Sequence, residues 1–86
     1  MNQQFFTDKA KNIPCRIKTH RAWVEVIATT QAEVHVKAGL DASRLYKITD
    51  DVPISAGNGD LIKVTTQPGV FLTVSGTGDF TFNLLG

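Results

Sequence analysis

Cysteine is nearly absent from this chain: Cys15 is the only one, so no intrachain disulfide can staple the fold. Metal ligands of the soft or imidazole kind are as scarce, being Cys15, His20 and His35. No metal and no other cofactor is expected from such a set. No run of about 18 apolar residues occurs, which excludes a membrane-spanning helix and makes a membrane partner unexpected. The first eight residues, Met1 to Asp8, have neither a basic leader nor an apolar stretch, so no signal peptide is expected there. One unpaired thiol without such a signal fits synthesis in a reducing cytoplasm. Apolar residues recurring at helical spacing are missing as well: no helix-period segment reaches ten residues.

What is present is a short chain with an uneven charge. Its 86 residues make one domain, or one domain with an arm. A chain of this size buries only about 60–65% of the surface it exposes when unfolded. Without disulfides or metal, oligomerisation is the remaining route to extra stability. The net charge is +1, yet residues 1–21 carry Lys9, Lys11, Arg16, Lys18 and Arg21 against Asp8 alone. The remainder carries Lys37, Arg44, Lys47 and Lys63 against seven acids. A basic leader therefore precedes a mildly acidic body, and can dock on an acidic surface.

Residues 1–12 show no period, and Pro14 holds Ile13 extended. Residues 1–15 are read as an extended N-terminal arm, and residues 16–86 as a single β-domain. From Ile17 the chain alternates with period two. Ala22, Val24, Val26 and Ala28 share one face, with Trp23, Glu25, Ile27 and Thr29 on the other. Over 32–38, Val34 and Val36 face in while Glu33, His35 and Lys37 face out. Only Thr29 to Gln31 separates these two runs, which predicts a tight hairpin, although the turn is not of the Asn-Gly type. Gly39 breaks the pattern. A turn at 41–44, with Asp41 as its cap, leads into a strand at 45–49. Val52-Pro53-Ile54 is a short extended piece that Pro53 confines to a sheet edge, and 55–60 is a tight loop. Three strands follow, at 61–66, 70–75 and 80–85. Gln67-Pro68-Gly69 between the first two fits a type II turn, and 76–79 forms the second loop. Links this short predict an antiparallel C-terminal meander, with Phe80, Phe82 and Leu84 facing the core. The fold class is all-β: a small antiparallel β-sandwich or barrel with an extended arm.

Catalytic chemistry finds little to work with, and the chain is not expected to be an enzyme. Cys15 with His20 or His35 is the one Cys/His combination; the plainer reading of Cys15 is a half-buried thiol at a strand start. Asp50 and Asp51 are adjacent, so on an extended chain their side chains diverge. Asp50, Asp51, Asn58 and Asp60 offer oxygens to a calcium ion but lack EF-hand spacing. His35 has no second ligand nearby in sequence. Gly57-Asn58-Gly59 and Gly76-Thr77-Gly78 precede no helix and are hairpin turns rather than phosphate loops. The basic leader, with Phe5, Phe6 and Trp23, could touch phosphate and stack bases. The acidic body argues against nucleic acid as the partner.

The Thr/Val/Gly/Ala-rich strands Leu61-Ile62-Lys63-Val64-Thr65-Thr66 and Val70 to Gly78 resemble those of small bacteriophage virion structural proteins. These are the capsid decoration (cement) and head-fibre or tail components. The resemblance covers residues 22–86 in style and rests on no motif. It implies a non-enzymatic protein that sits on a larger capsid or tail protein of the virion as a homo-oligomer, a trimer by preference. Phe5, Phe6, Lys9, Lys11, Arg16 and Trp23 are the interaction residues expected on this reading. A carbohydrate- or ligand-binding β-domain, or a small nucleic-acid-binding β-barrel using the basic arm, is the alternative.

Overall fold

Alternating apolar and polar residues build nine antiparallel strands among the described residues. They are β1 (Phe5–Ala10), β2 (Cys15–Arg16), β3 (Arg21–Ala28), β4 (Ala32–Asp41), β5 (Arg44–Lys47), β6 (Val52–Ile54), β7 (Gly59–Thr65), β8 (Phe71–Thr77) and β9 (Phe80–Leu85). The computed structural model describes residues 5–85, of which 5–9 and 85 are described by backbone alone. Sheet A has the order β1-β9-β3-β7 and sheet B the order β2-β8-β4-β5, with β6 also on β4.

One rule generates both orders. β1 pairs with β9, β2 with β8, β3 with β7 and β4 with β6. That is one long antiparallel ribbon. It is rolled so that β9 also meets β3 and β8 also meets β4, which is the strand order of a jelly roll. β5 and β6 share the place of one strand. Both pair with β4, and the gap between them is closed locally. There Ile48 N–H donates to the Val36 carbonyl and the Thr49 hydroxyl accepts from Val36 N–H, each at 2.9 Å.

The inward residues follow the period. Val24, Val26, Phe82 and Leu84 of sheet A meet Val34, Val36, Leu72 and Val74 of sheet B in one core, each almost fully buried. Burying a side chain of this kind stabilises by about 1.5–3 kcal/mol. Cys15 lies at the start of β2 and is buried in the same core.

Sheet membership corrects two expectations. β3 and β4 do not form a hairpin: residues 29–31 carry the chain from sheet A to sheet B. β7, β8 and β9 are not a meander, because they alternate A, B, A. The two open sheets fit the expected small antiparallel all-β class. The physical reason for both corrections is the same. Alternation says which face of a strand is buried, and two strands facing one core from opposite sheets alternate alike. Sheets stack about 10 Å apart, a distance that two or three extended residues span. The 29–31 crossing is held by Thr29 and Thr30, whose N–H groups both donate to the Asp79 carbonyl. Gly39 also does not end its strand: β4 runs on to Asp41, with a bulge after Ala38.

Other expectations stand. Gly69, at φ +92°, and the Val70 N–H to Gln67 carbonyl bond of 3.1 Å give the type II turn. Asp41 Oδ1 accepts from both Ser43 N–H and Ser43 Oγ in the β4–β5 turn. Pro53 sits on an edge strand.

Candidate interaction surfaces

The residues expected to make contacts divide between sheet A, which carries Phe5, Phe6, Lys9 and Trp23, and the strap into sheet B, which carries Lys11 and Arg16. Phe5, Phe6 and Lys9 lie in β1, on the edge of sheet A beside β9, and their side chains are outside what is described. Residues 11–14, also part of the expected arm, run along β8. Asn12 N–H donates to the Val74 carbonyl. The Thr73 hydroxyl donates to the Ile13 carbonyl at 2.8 Å, and the Ser75 hydroxyl to Asn12 Oδ1. Asn12 adopts φ +70° to do this, a conformation asparagine tolerates better than most residues. Lys11 donates to the Gly78 carbonyl at 2.8 Å, with its ammonium 5.8 Å from the Phe80 ring centre. Arg16 is exposed in β2, paired with Phe71 in sheet B.

Trp23 lies on the outer face of the same sheet as β1, two strands in: both it and Phe5 pair with Leu85 of β9. Its cross-strand partners are Lys63 and Leu85, and the Lys63 ammonium sits 5.3 Å from the indole centre. Glu25 stands opposite Leu61 and Asn83, and Asn83 donates to Glu25 Oε1 at 3.1 Å. Ile27 completes the row along β3. Trp23 and Ile27 are each 40% exposed and Leu61 is 53% exposed. Three large apolar side chains thus lie on one sheet face with Arg21, Lys63 and Glu25 among them. The shared parity of Trp23 and Ile27 was legible in the sequence. Leu61 joins them only through the β3–β7 register.

A second apolar surface was not anticipated. Ala38 pairs with Tyr46, so both point to the core side of sheet B, as do Leu40 and Ile48. Leu40 is 81% exposed, Tyr46 65% and Ile48 46%. The β4–β5 hairpin therefore extends the core face of sheet B beyond the cover that sheet A gives it. Ala38, Leu40 and Ile48 line a shallow groove of about 300 Å³ with Thr65, Thr66, Gln67 and Val70. Carrying the parity of Val34 and Val36 past Gly39 would have found it.

Polar side chains meet at one exposed point on the outside of sheet B. His35 Nδ1 is 2.9 Å from Asp51 Oδ1, and Lys47 Nζ is 3.2 Å from the same oxygen. The hydrogen bond from Lys47, then that from His35, holds the Asp51 carboxyl below its ordinary value of 3.8. Among the described residues, no three His, Cys, Asp or Glu side chains converge as metal ligands. Asp60, one of the candidate calcium oxygens, instead accepts from Leu61 N–H at 2.8 Å.

Compared with known proteins, the chain matches no family model, no curated protein and no solved structure.

Proposed function

We propose that this domain is a non-catalytic structural protein of a virion, one that docks on a larger capsid or tail protein as a homo-oligomer. The observation that carries the reading is the outer face of sheet A. Trp23, Ile27 and Leu61 lie on it, each 40–53% exposed, with Glu25 and Lys63 interleaved among them. Exposed apolar side chains around a tryptophan anchor, interleaved with charge on an open sheet face, suit protein surfaces better than small ligands. Strand order adds weight, since jelly rolls recur among viral capsid domains, although a fold by itself does not fix function. Repetition on a symmetric surface would turn modest single contacts into avidity.

The test is to follow the tagged chain through a density gradient of lysate from cells producing the particle. Co-sedimentation with filled particles is expected, with occupancy reduced by Trp23→Ser while the circular dichroism spectrum is unchanged. A chain that remains entirely in the soluble fraction overturns the reading. The groove beside Tyr46 supports a second reading, a ligand-binding β-domain. A glycan that shifts the amide resonances of Leu40 and Tyr46 would favour it.

A further inference from the structure

The edges of the two sheets differ in how they end. β1 is broken by a bulge between Phe6 and Lys9, and β2 has two residues. β5 pairs across a register shift, and β6 has three residues and carries Pro53. Bulges, short strands and proline are the devices that blunt a sheet edge against further pairing. β7 carries Lys63, itself an edge-guarding charge, but it is neither short, nor bulged, nor broken by proline. Its seven residues pair with β3 in unbroken register, and it ends the order of sheet A.

The direction of its backbone groups can be read from its neighbours. Thr66 N–H donates to the His20 carbonyl, and the Asn58 carbonyl accepts from Ala28 N–H. Even-numbered residues thus turn toward β3. The Leu61 N–H is taken by Asp60 Oδ1 instead. Lys63 and Thr65 therefore present their N–H and carbonyl groups at the open edge, and Leu61 its carbonyl. The uncovered core face of the β4–β5 hairpin lies on this same flank, since Thr65 and Thr66 share a groove with Leu40 and Ile48.

We propose that β7 pairs antiparallel with β7 of a second copy of this chain about a two-fold axis. The two four-stranded sheets then join into one, and the added strand lies over Tyr46 and Ile48. Two observations converge on this occupant. An antiparallel strand pair is self-complementary, as a two-fold interface requires. A pairing centred on Ile62 also engages all seven residues and sets Lys63 against Leu61 of the partner subunit. Centring on Lys63 would instead oppose two ammonium groups, a destabilising arrangement. The proposal deepens the oligomeric part of the function proposed above and rests on it.

The experiment is the solution mass by sedimentation equilibrium over a concentration series. The wild type is expected to be a dimer in mass-action exchange with monomer. Lys63→Pro removes only an outward N–H and puts a ring in the partner's path. It should be a monomer with the wild-type circular dichroism spectrum. Lys63→Ala loses the same ammonium but keeps the N–H, and should stay dimeric. Leu40→Glu touches no ladder and should weaken the dimer by about ten-fold or more. Should Lys63→Pro not fold, Leu40→Glu and Tyr46→Glu decide the matter.

A wild type that stays monomeric up to about 1 mM, the weak end of specific association, overturns the proposal. So does a dimer or trimer whose mass ignores these variants. In that last case the reading as a virion protein survives if the chain still co-sediments with particles. A β7-dependent dimer that never co-sediments overturns that reading and leaves the interface intact.

Discussion

The two long flanks of the sandwich are finished by different chemistry. On the β1–β2 flank the chain itself crosses from sheet A to sheet B, and its polar groups bond inward. Asn12, Ile13 and Ile17 exchange hydrogen bonds with Val74, Thr73, Ser75 and Val70, and Thr73 and Ser75 are buried as a result. On the β7–β5 flank the 55–58 loop bridges one end, where Gly57 N–H donates to the Ala28 carbonyl. The other end stands open over Leu40, Tyr46 and Ile48. The first flank depends on neutral hydrogen bonds from the buried Thr73 and Ser75 hydroxyls, and a buried hydroxyl left without its partner costs about 1–3 kcal/mol. The second presents apolar surface and charge to solvent, where single changes matter little to folding. Stability therefore concentrates on one flank and availability for contact on the other.

Removing residues 1–12 should be the most damaging change. It strips β1 from β9 and takes Asn12 from Ser75 and from the Val74 carbonyl. A loss of about 3–5 kcal/mol is expected by urea unfolding, the scale of several lost ladder pairs and orphaned buried groups. A body that unfolds at the wild-type midpoint would show that the segment is a detachable arm, as the division at residue 15 supposes. Gly76→Ala should come next. Gly76 has φ +145°, and a Cβ there would strike the Glu33 carbonyl on β4. A cost of about 2–4 kcal/mol is expected from strain and displaced backbone. Asn12→Ala should cost about 1–2 kcal/mol, through the Ser75 hydroxyl and the φ +70° backbone. Asn12→Gly, which keeps the backbone freedom but not the acceptor, separates the two parts. On the other flank, Ile48→Ser should leave the urea midpoint of the monomer within about 0.5 kcal/mol of wild type. A larger loss would mean that this side chain belongs to the core.

Much of this contrast lay beyond the sequence, for a physical reason. Period-two alternation correctly placed Val24, Val26, Val34, Val36, Phe82 and Leu84 inward, because burial acts on each strand separately; it put Trp23 on the opposite face without deciding between a second core side and an interface. Gln67-Pro68-Gly69 announced its turn, because proline and glycine preset the dihedrals there. Which strands share a sheet is decided by contacts between residues far apart in the chain, such as Trp23 with Lys63 and Val36 with Val74. Short links are compatible with a hairpin and with a crossing alike. The outer face of sheet A was half legible for that reason: β3 showed Trp23 and Ile27, while Leu61 came only with the register. The Asp51 cluster was not legible at all. Lys47 and Asp51 stand four apart, a signal that has meaning on a helix, and His35 reaches Asp51 only because the 48–51 link folds back over β4.

That cluster gives the smallest effect and the sharpest check on the difference between the flanks. Asp51 ties the β5–β6 link to the outside of β4, yet it is exposed, and exposed ion pairs contribute little. Its carboxyl is held below 3.8 by Lys47 and then His35. A depressed folded-state value means that its contribution is complete above about pH 4 and is lost as pH falls through the lowered value. Asp41, held low by Ser43 N–H and then the Ser43 hydroxyl, acts in the same direction and the same window. Urea midpoints should therefore be level from about pH 7 to pH 5 and decline below about pH 4. Asp51→Asn should make that decline shallower and move the midpoint only slightly at neutral pH. The strapped flank, with its neutral hydroxyl and amide partners, should contribute no slope, so Asn12→Ala should lower the curve evenly at every pH. If Asn12→Ala instead changed the slope, or Asp51→Asn lowered the neutral midpoint as much as Asn12→Ala does, the division of labour between the two flanks would fail.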